Sequence, residues 1–456
     1  MLKKFFRKNS KIYHDLGEKK ITFLEYGIKA IQRILPHVEI RNIAITSYKK
    51  SRTKWSSNKR RSISITIGVE IGRKHSVNFD IFRRTIPVVP GTILRTLDSR
   101  EYEICGAVEK KLSNIFLGNR NYDESTLEAV FSSFDDAIIS EHLKERYDLN
   151  FDLGNLFNEV RKLAEQTYEN KALMFGCLID SDSHKKPSPK TRFPDSYFDK
   201  KKYRVLSDAY NTAYKISSYG CLISFKEIDL KSRHPGGKKF YPKWCENFAR
   251  STNDAIFGII LTPQGDILIL ENSDLTFTYR FGNWQYWNHT HLTDLLKDAA
   301  RTPGISLSKG LTRIVHRLYR IAIDASFRRT GSLLVLLRNR RNLHEIVVVG
   351  DAIDDPKRSQ LDKAFDNALD FSLIPGIDPR IIVELASLDG AIVFDNKGKV
   401  LAYGSVLKPK KTGKISTAEG SRTKAAIGAS NYGIAIKVSL DGDIAIYYKG
   451  KILIKI

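Results

Sequence analysis

Acidic residues, cysteine and long apolar runs are what this chain of 456 residues has little of. Asp and Glu total 51 against 75 Lys and Arg, which leaves a net charge of +24. That balance suits polyanionic partners such as nucleic acid, nucleotides or an anionic membrane surface. The basic excess is spread along the whole chain, so a generally basic protein surface is the simpler reading. The four cysteines, Cys105, Cys177, Cys221 and Cys245, form no CxxC pair and stand beside no second ligand at metal spacing. This excludes a zinc ribbon and a disulfide framework, and leaves reduced, mostly buried thiols in a cytoplasmic protein. No apolar run is long enough to span a bilayer, so no membrane partner is expected. The basic start, Met1–Lys8, is followed by no apolar core of signal-peptide length. Internal repeats are also missing.

The composition that remains is ordinary for a globular protein, 42% apolar and 28% charged. The length suits two to four domains. Residues 1–185 read as an α+β region, 186–290 as a second α+β segment with a β-meander, and 291–456 as an α/β domain. The fold class is therefore α/β, with a C-terminal mixed β-sheet flanked by helices and α+β material before it. Apolar spacing predicts a helix over Ile21–Leu35, and alternation predicts strands over Ile40–Tyr48 and Ile63–Ile71. The two strands read as a hairpin with a very basic tip, Lys49–Arg61, carrying Trp55. The tip could bind phosphates and stack one base; a solvated loop is the preferred reading. Helices are expected over Ser125–Leu149 and Leu153–Lys171, and a linker over Lys185–Asp195 with its three prolines. His234 reads as a loop residue.

A meander of strands follows from Ile256 to Tyr279 and ends in Trp284-Gln285-Tyr286-Trp287. Those aromatics could stack a ligand ring, but capping a small sheet is preferred. An amphipathic helix spans Leu311–Ala325. Ser332–Leu337 is continuously apolar, as in a strand buried on both faces. Another strand is predicted at Ile346–Val349 and a helix at Gln360–Phe371. Ala391–Phe394 and Lys399–Val406 form a hairpin about Asp395–Gly398, helix Arg422–Ser430 comes next, and three short strands close the chain.

Two motifs in this last part carry chemistry. The first is Asp389-Gly390-Ala391 at the mouth of a buried strand. A carboxylate there can hold a divalent cation against phosphate oxygens, beside a sugar hydroxyl that must become a nucleophile. Gly390 removes a side chain where a nucleotide must approach the backbone. Alone, Asp-Gly is a common loop dipeptide. The second motif is Gly420-Ser421-Arg422-Thr423-Lys424-Ala425-Ala426. Gly420-Ser421 can cap a helix whose first N–H groups bind phosphate. Arg422 and Lys424 add cations beside it, and the alanines allow close packing.

The pair, in this order and between strands, resembles the nucleotide pocket of the diadenylate cyclase (DAC) domain family. That family carries Asp-Gly-Ala and then Gly-Thr-Arg-His-Arg-Ala-Ala at a similar distance downstream. The likeness extends to Gly404-Ser405-Val406-Leu407 after the hairpin and to Val438-Ser439-Leu440-Asp441 after the last helix, and covers roughly Leu311–Ile456. Thr423 stands where His is usual, Lys424 where Arg is usual, and Leu440-Asp441 where two glutamates are usual. The resemblance implies condensation of two ATP molecules into cyclic di-AMP and pyrophosphate. Asp389 and Arg422 would be catalytic. ATP would be bound by Gly390, Ala391, Gly404, Leu407, Gly420, Ser421, Thr423, Lys424, Ser439 and Asp441. Asp389 would hold Mg²⁺ or Mn²⁺. It also implies a homodimer or higher oligomer with two such domains facing each other, and an N-terminal region that senses an unidentified signal. The chain stops on the last strand of the domain, so no C-terminal DNA-binding domain is expected. The alternatives are a catalytically weak, DAC-like nucleotide sensor, and a nucleic-acid-binding protein that uses the basic hairpin.

Overall fold

The computed structural model describes residues 22, 24–47, 54–57, 63–70, 75–83, 97–117, 133–180, 201–228, 238–301, 309–369, 379–408 and 420–456. The chain forms two compact units. The first draws on Met1–Thr85, Leu94–Lys239 and Trp244–Trp287, the second on Ile86–Ile93, Phe240–Lys243 and Asn288–Ile456, counting the described residues of each. Both are mixed α/β, with sheets flanked by helices, as the sequence predicts.

The first unit opens with helix α1 (24–34) and strands β1 (Val38–Ser47), β2 (Lys54–Ser57), β3 (Ile63–Glu70) and β4 (His75–Arg83). Their order is β1-β4-β3-β2. The expected hairpin between the first and third of these strands does not form. β4 lies between them, pairing with β1 on one side and β3 on the other. Alternation identified the strands, but a strand of the same pattern beyond residue 74 competes for the central place. It buries Val77, Phe79 and Ile81. Part of the expected basic tip, Lys54–Ser57, is instead the edge strand β2; the rest lies outside the described residues.

Helix α2 (Ser99–Leu117) starts with a reciprocal capping box. The Glu101 N–H donates to Asp98 Oδ1 at 2.8 Å, and the Asp98 N–H donates to Glu101 Oε2 at 2.6 Å. Next come α3 (Phe134–Tyr147) and α4 (Leu153–Ala164), the latter capped by Asp152. The helix expected to run to Lys171 stops at Ala164. A two-stranded ribbon follows, β5 (Thr167–Tyr168) and β6 (Lys171–Ala172). Its turn puts Glu169 and Asn170 at φ 50° and 62°, the left-handed pair of a tight hairpin, with no glycine to announce it.

Strands β7 (Phe175–Asp180), β8 (Thr212–Ser217), β9 (Leu222–Glu227), β10 (Phe257–Leu261), β11 (Ile267–Glu271), β12 (Asp274–Arg280) and β13 (Asn283–Tyr286) form a seven-stranded sheet. The order is β13-β12-β11-β10-β7-β8-β9. Short helices α5 (Lys201–Leu206) and α6 (Glu246–Ser251) attach to it. Trp284 is fully buried, and its Nε1 donates to Asp136 Oδ1 at 2.6 Å. Trp287 Nε1 donates to Thr278 Oγ1 at 3.0 Å. These aromatics belong to the sheet's packing and offer no face to a ligand. All four cysteines are buried and unbridged.

The second unit begins with α7 (His289–Ala300) and the amphipathic α8 (Lys309–Arg328). Its six-stranded sheet is built from β14 (Ser332–Leu337), β15 (Ala391–Phe394), β16 (Val400–Ser405), β17 (Gly433–Val438), β18 (Ile444–Tyr448) and β19 (Lys451–Lys455). The order is β16-β15-β14-β17-β18-β19. β14 pairs parallel with β15 and antiparallel with β17, so the sheet is mixed at its centre. The predicted strand Ile346–Val349 is instead the helical turn α9 (Leu343–Ile346), followed by a single bridge from Val347 to Leu407. Val348 and Val349 are exposed and belong to no strand. Helices α10 (Gln360–Leu369), α11 (Pro379–Ser387) and α12 (Ser421–Ala429) complete the unit. The core beneath α12 includes Leu333, Val335, Ala391, Val393, Ala426, Ala429 and Ala435. No helix among the described residues is long and apolar enough to cross a membrane. The predicted linker 185–195 and His234 lie outside the described residues.

Candidate nucleotide site

A cavity of about 160 Å³ opens where β14, β15 and β16 meet the first turn of α12. Of the residues singled out from the sequence, Asp389, Gly390, Ala391, Leu407, Ser421 and Arg422 line it. Leu333, Ser405, Val406 and Ala425 line it as well and were not singled out as binding residues. The wall is therefore apolar on the sheet side and polar along one edge.

Gly390 has φ +115°, and a Cβ there would lie 2.6 Å from the Ser405 nitrogen. What presses on Gly390 is the Gly404–Ser405 peptide of the neighbouring strand. The missing side chain thus serves strand closure at the cavity rim, and Gly390 also lines the cavity. Gly404 itself sits at φ +57°. β16 is held from behind by a buried network. Tyr403 Oη donates to Asp366 Oδ1 at 2.6 Å, and Arg358 Nε donates to Asp366 Oδ2 at 2.7 Å. Burial, with Asp366 as acceptor, pushes the Tyr403 hydroxyl up to about 12, so it stays a protonated donor near neutrality. The Val406 N–H donates to Asp351 Oδ2 at 3.2 Å, which ties the cavity rim to the loop after α9.

On the helix side, Gly420 is the N-cap of α12 and offers no side-chain cap. Thr423 and Lys424 donate their N–H groups to the Gly420 carbonyl at 3.0 and 3.2 Å. The first turn contains no acidic residue. Arg422 reaches across the cavity to the other motif, its Nη2 lying 3.2 Å from Asp389 Oδ1. Asp389 is wholly exposed and Arg422 is 30% exposed, so the pair is a weak tie in water and leaves the carboxylate accessible. Arg422 fits because Gly331 has no side chain: a Cβ at 331 would overlap the guanidinium.

Not every expected residue reaches the cavity. Thr423 Oγ1 accepts from Lys437 Nζ at 2.8 Å, beside the lining. Lys424 is half-buried on the same turn. Ser439 closes the turn between β17 and β18, its Oγ accepting from the Asp443 N–H at 3.0 Å. Asp441 is exposed on that turn and lines no part of the cavity. Lys437, Gly331 and Asp351 were missed as site residues. Lys437 carried no signal in the sequence: it stands opposite Leu333 in the β14–β17 register, on the face that α12 covers, and that pairing joins distant parts of the chain.

Among the described residues no cluster of three or more His, Cys, Asp or Glu could hold a metal ion. Asp389 alone presents a free-facing carboxylate at the cavity. That donor set fits a cation which arrives on phosphate oxygens and takes only one ligand from the protein, the usual habit of Mg²⁺.

No family model and no curated protein matches the chain. Among the solved structures similar to part of it are the following two. DacA from Staphylococcus aureus, in a double-mutant form, is 22% identical with a TM-score of 0.24, over 33% of this chain and 90% of that one. A hypothetical membrane-spanning protein from Bacillus cereus is 18% identical with a TM-score of 0.24, over 37% of this chain and 75% of that one.

Proposed function

We infer that the second unit is a nucleotidyl transferase site and that the chain is a diadenylate cyclase. The observation that carries this reading is the convergence of its two motifs, 33 positions apart, on one cavity, with Asp389 and Arg422 in contact across it. Two ATP molecules would react, each held in the cavity of one copy of the chain. The 3′-oxygen of each forms a bond to the α-phosphorus of the other, the bond to the β-phosphate oxygen breaks, and two pyrophosphates leave. Asp389, exposed at the strand mouth, accepts a hydrogen bond from the attacking hydroxyl or draws its proton away. Arg422 and the first turn of α12 offset the charge that builds on the phosphate. The apolar wall of Leu333, Val406 and Leu407 takes the base and excludes water. A bound Mg²⁺ or Mn²⁺ would supply charge neutralisation at the phosphates, with Asp389 as its protein ligand. Because one cavity holds half of the reaction, turnover requires two copies face to face.

A second reading, a nucleotide sensor with little turnover, is favoured by one feature. Asp441 stays out on its turn, so Asp389 is the one carboxylate among the lining residues. Incubation of the full chain with ATP and Mg²⁺ or Mn²⁺, followed by mass spectrometry, separates the two. Cyclic di-AMP is the expected product. ATP binding without product would select the sensor, and no ATP binding would overturn both. Steeply salt-dependent binding of DNA or RNA would point to the basic stretch Lys49–Arg61 instead.

A further inference from the structure

Lys437 lies on β17, directly opposite Leu333 of β14, and so shares the sheet face on which α12 packs. It is half-buried, and among the described residues it pairs with no carboxylate. Its Nζ donates to Thr423 Oγ1 at 2.8 Å. This arrangement is electrostatically odd. Lys437, Arg422 and Lys424 gather around the first turn of α12, which is the positive end of the helix dipole and holds no acid. Cations belong at the other end of a helix, so the charge placement lowers the stability of the empty protein. It suits a bound anion.

The hydrogen bond also fixes a direction. An ammonium group only donates, so the Thr423 oxygen must accept. The Thr423 proton is then left for another acceptor, and among the described residues the hydroxyl donates to none. A hydroxyl polarised by a cation is a stronger donor than a free one. We propose that Lys437 is a positioning residue for the polyphosphate of the bound nucleotide where it extends past the cavity lining along the first turn of α12, acting through Thr423, whose hydroxyl it orients and polarises as a phosphate donor. This inference rests on the nucleotide site proposed above, and it assigns to a strand residue a charge that position 423 lacks.

The test is ATP and tripolyphosphate binding to the full chain by calorimetry, in wild type and in four variants: Lys437→Met, Thr423→Val, the double variant, and Thr423→Ser. Lys437→Met and Thr423→Val should each weaken both ligands by about tenfold. The double variant should be no weaker than the worse single one, because the two residues act in series. Thr423→Ser should restore most of the affinity, since it keeps the hydroxyl. Where turnover is measurable, the loss should fall on KM more than on kcat. Wild type that binds ATP while both single variants bind within about twofold of it would overturn the proposal. So would strictly additive losses in the double variant, or no rescue by serine. Wild type that fails to bind ATP would overturn the site itself, a different outcome. If Lys437→Met does not fold, Thr423→Val and Thr423→Ser test the same relay from the helix side.

Discussion

Gly331 leaves the space that the Arg422 guanidinium fills. Gly331 stands just before β14 and Arg422 in the first turn of α12, 91 positions further along the chain. Gly331→Ala should therefore push Arg422 out of line with Asp389. ATP affinity should fall by about tenfold while the melting temperature changes by only a few degrees. Titration with ATP alongside a thermal melt checks both. Unchanged affinity would mean that Arg422 does not hold the nucleotide.

Asp389→Asn isolates chemistry from fold. The side chain is wholly exposed and its one ion pair is with a partly exposed arginine. The variant should melt within about 2 °C of wild type. Product formation should drop by at least about a hundredfold, because the charged acceptor at the strand mouth is gone. A product assay at matched protein concentration decides it, and retained turnover would take Asp389 out of the mechanism.

Gly390→Ala should behave in the opposite way. The added methyl meets the Gly404–Ser405 backbone, and the residue sits at φ +115°. Backbone atoms cannot swing aside as a side chain would, so the variant should lose about 2–4 kcal/mol of stability in the second unit. Denaturant melts measure the loss. A variant as stable as wild type would show that β15 and β16 can separate there without penalty.

How much of this was readable beforehand divides along one line. The local features were legible: the apolar run of β14, the Asp-Gly turn, and the glycine start of α12. Each depends on residues adjacent in the chain. Strand partners were not legible, since β4 competed for β3 and displaced the expected hairpin. The ribbon at Thr167–Ala172 was hidden because Glu169 and Asn170 take left-handed backbone without a glycine. Val347–Val349 look like a strand by β-branching, but only Val347 makes a bridge, to Leu407, and no ladder extends from it among the described residues. Lys437 gave no cue of its own. Its place in the site depends on which strand stands opposite Leu333, and that pairing joins distant parts of the chain.

Asp324 gives the second unit a pH dependence. It is buried on α8 and accepts from the Lys243 N–H at 2.5 Å. Burial raises its carboxyl to about 6 from an unfolded value of 3.8, despite the nearby Arg320 and Arg328. A raised folded value means stability that is full below about pH 4 and is lost as pH rises through about 6. The loss above that range is about 3 kcal/mol. Asp324→Asn keeps the acceptor and removes the titration. The variant should match wild type near pH 4.5 and exceed it at pH 8 in urea melts. Equal stability at pH 8 would mean that the buried carboxylate is compensated.

The mixed centre of the second unit's sheet also sets an order of assembly. Leu334 of β14 pairs with Ile392, and Ser332 pairs with Val438. The cavity has walls from β14, β15, the end of β16 and the first turn of α12, so no short fragment contains it. Such wide sequence separation slows folding, because the chain entropy of closing each loop is lost before its contacts form. On the ribosome, roughly 5–20 s of synthesis separate the emergence of the two partners of Ser332 and Val438. During that interval β14, apolar on both faces, has no antiparallel neighbour. Until β17 arrives, the nascent second unit exposes an unpaired apolar strand, the kind of surface that makes folding intermediates prone to aggregation.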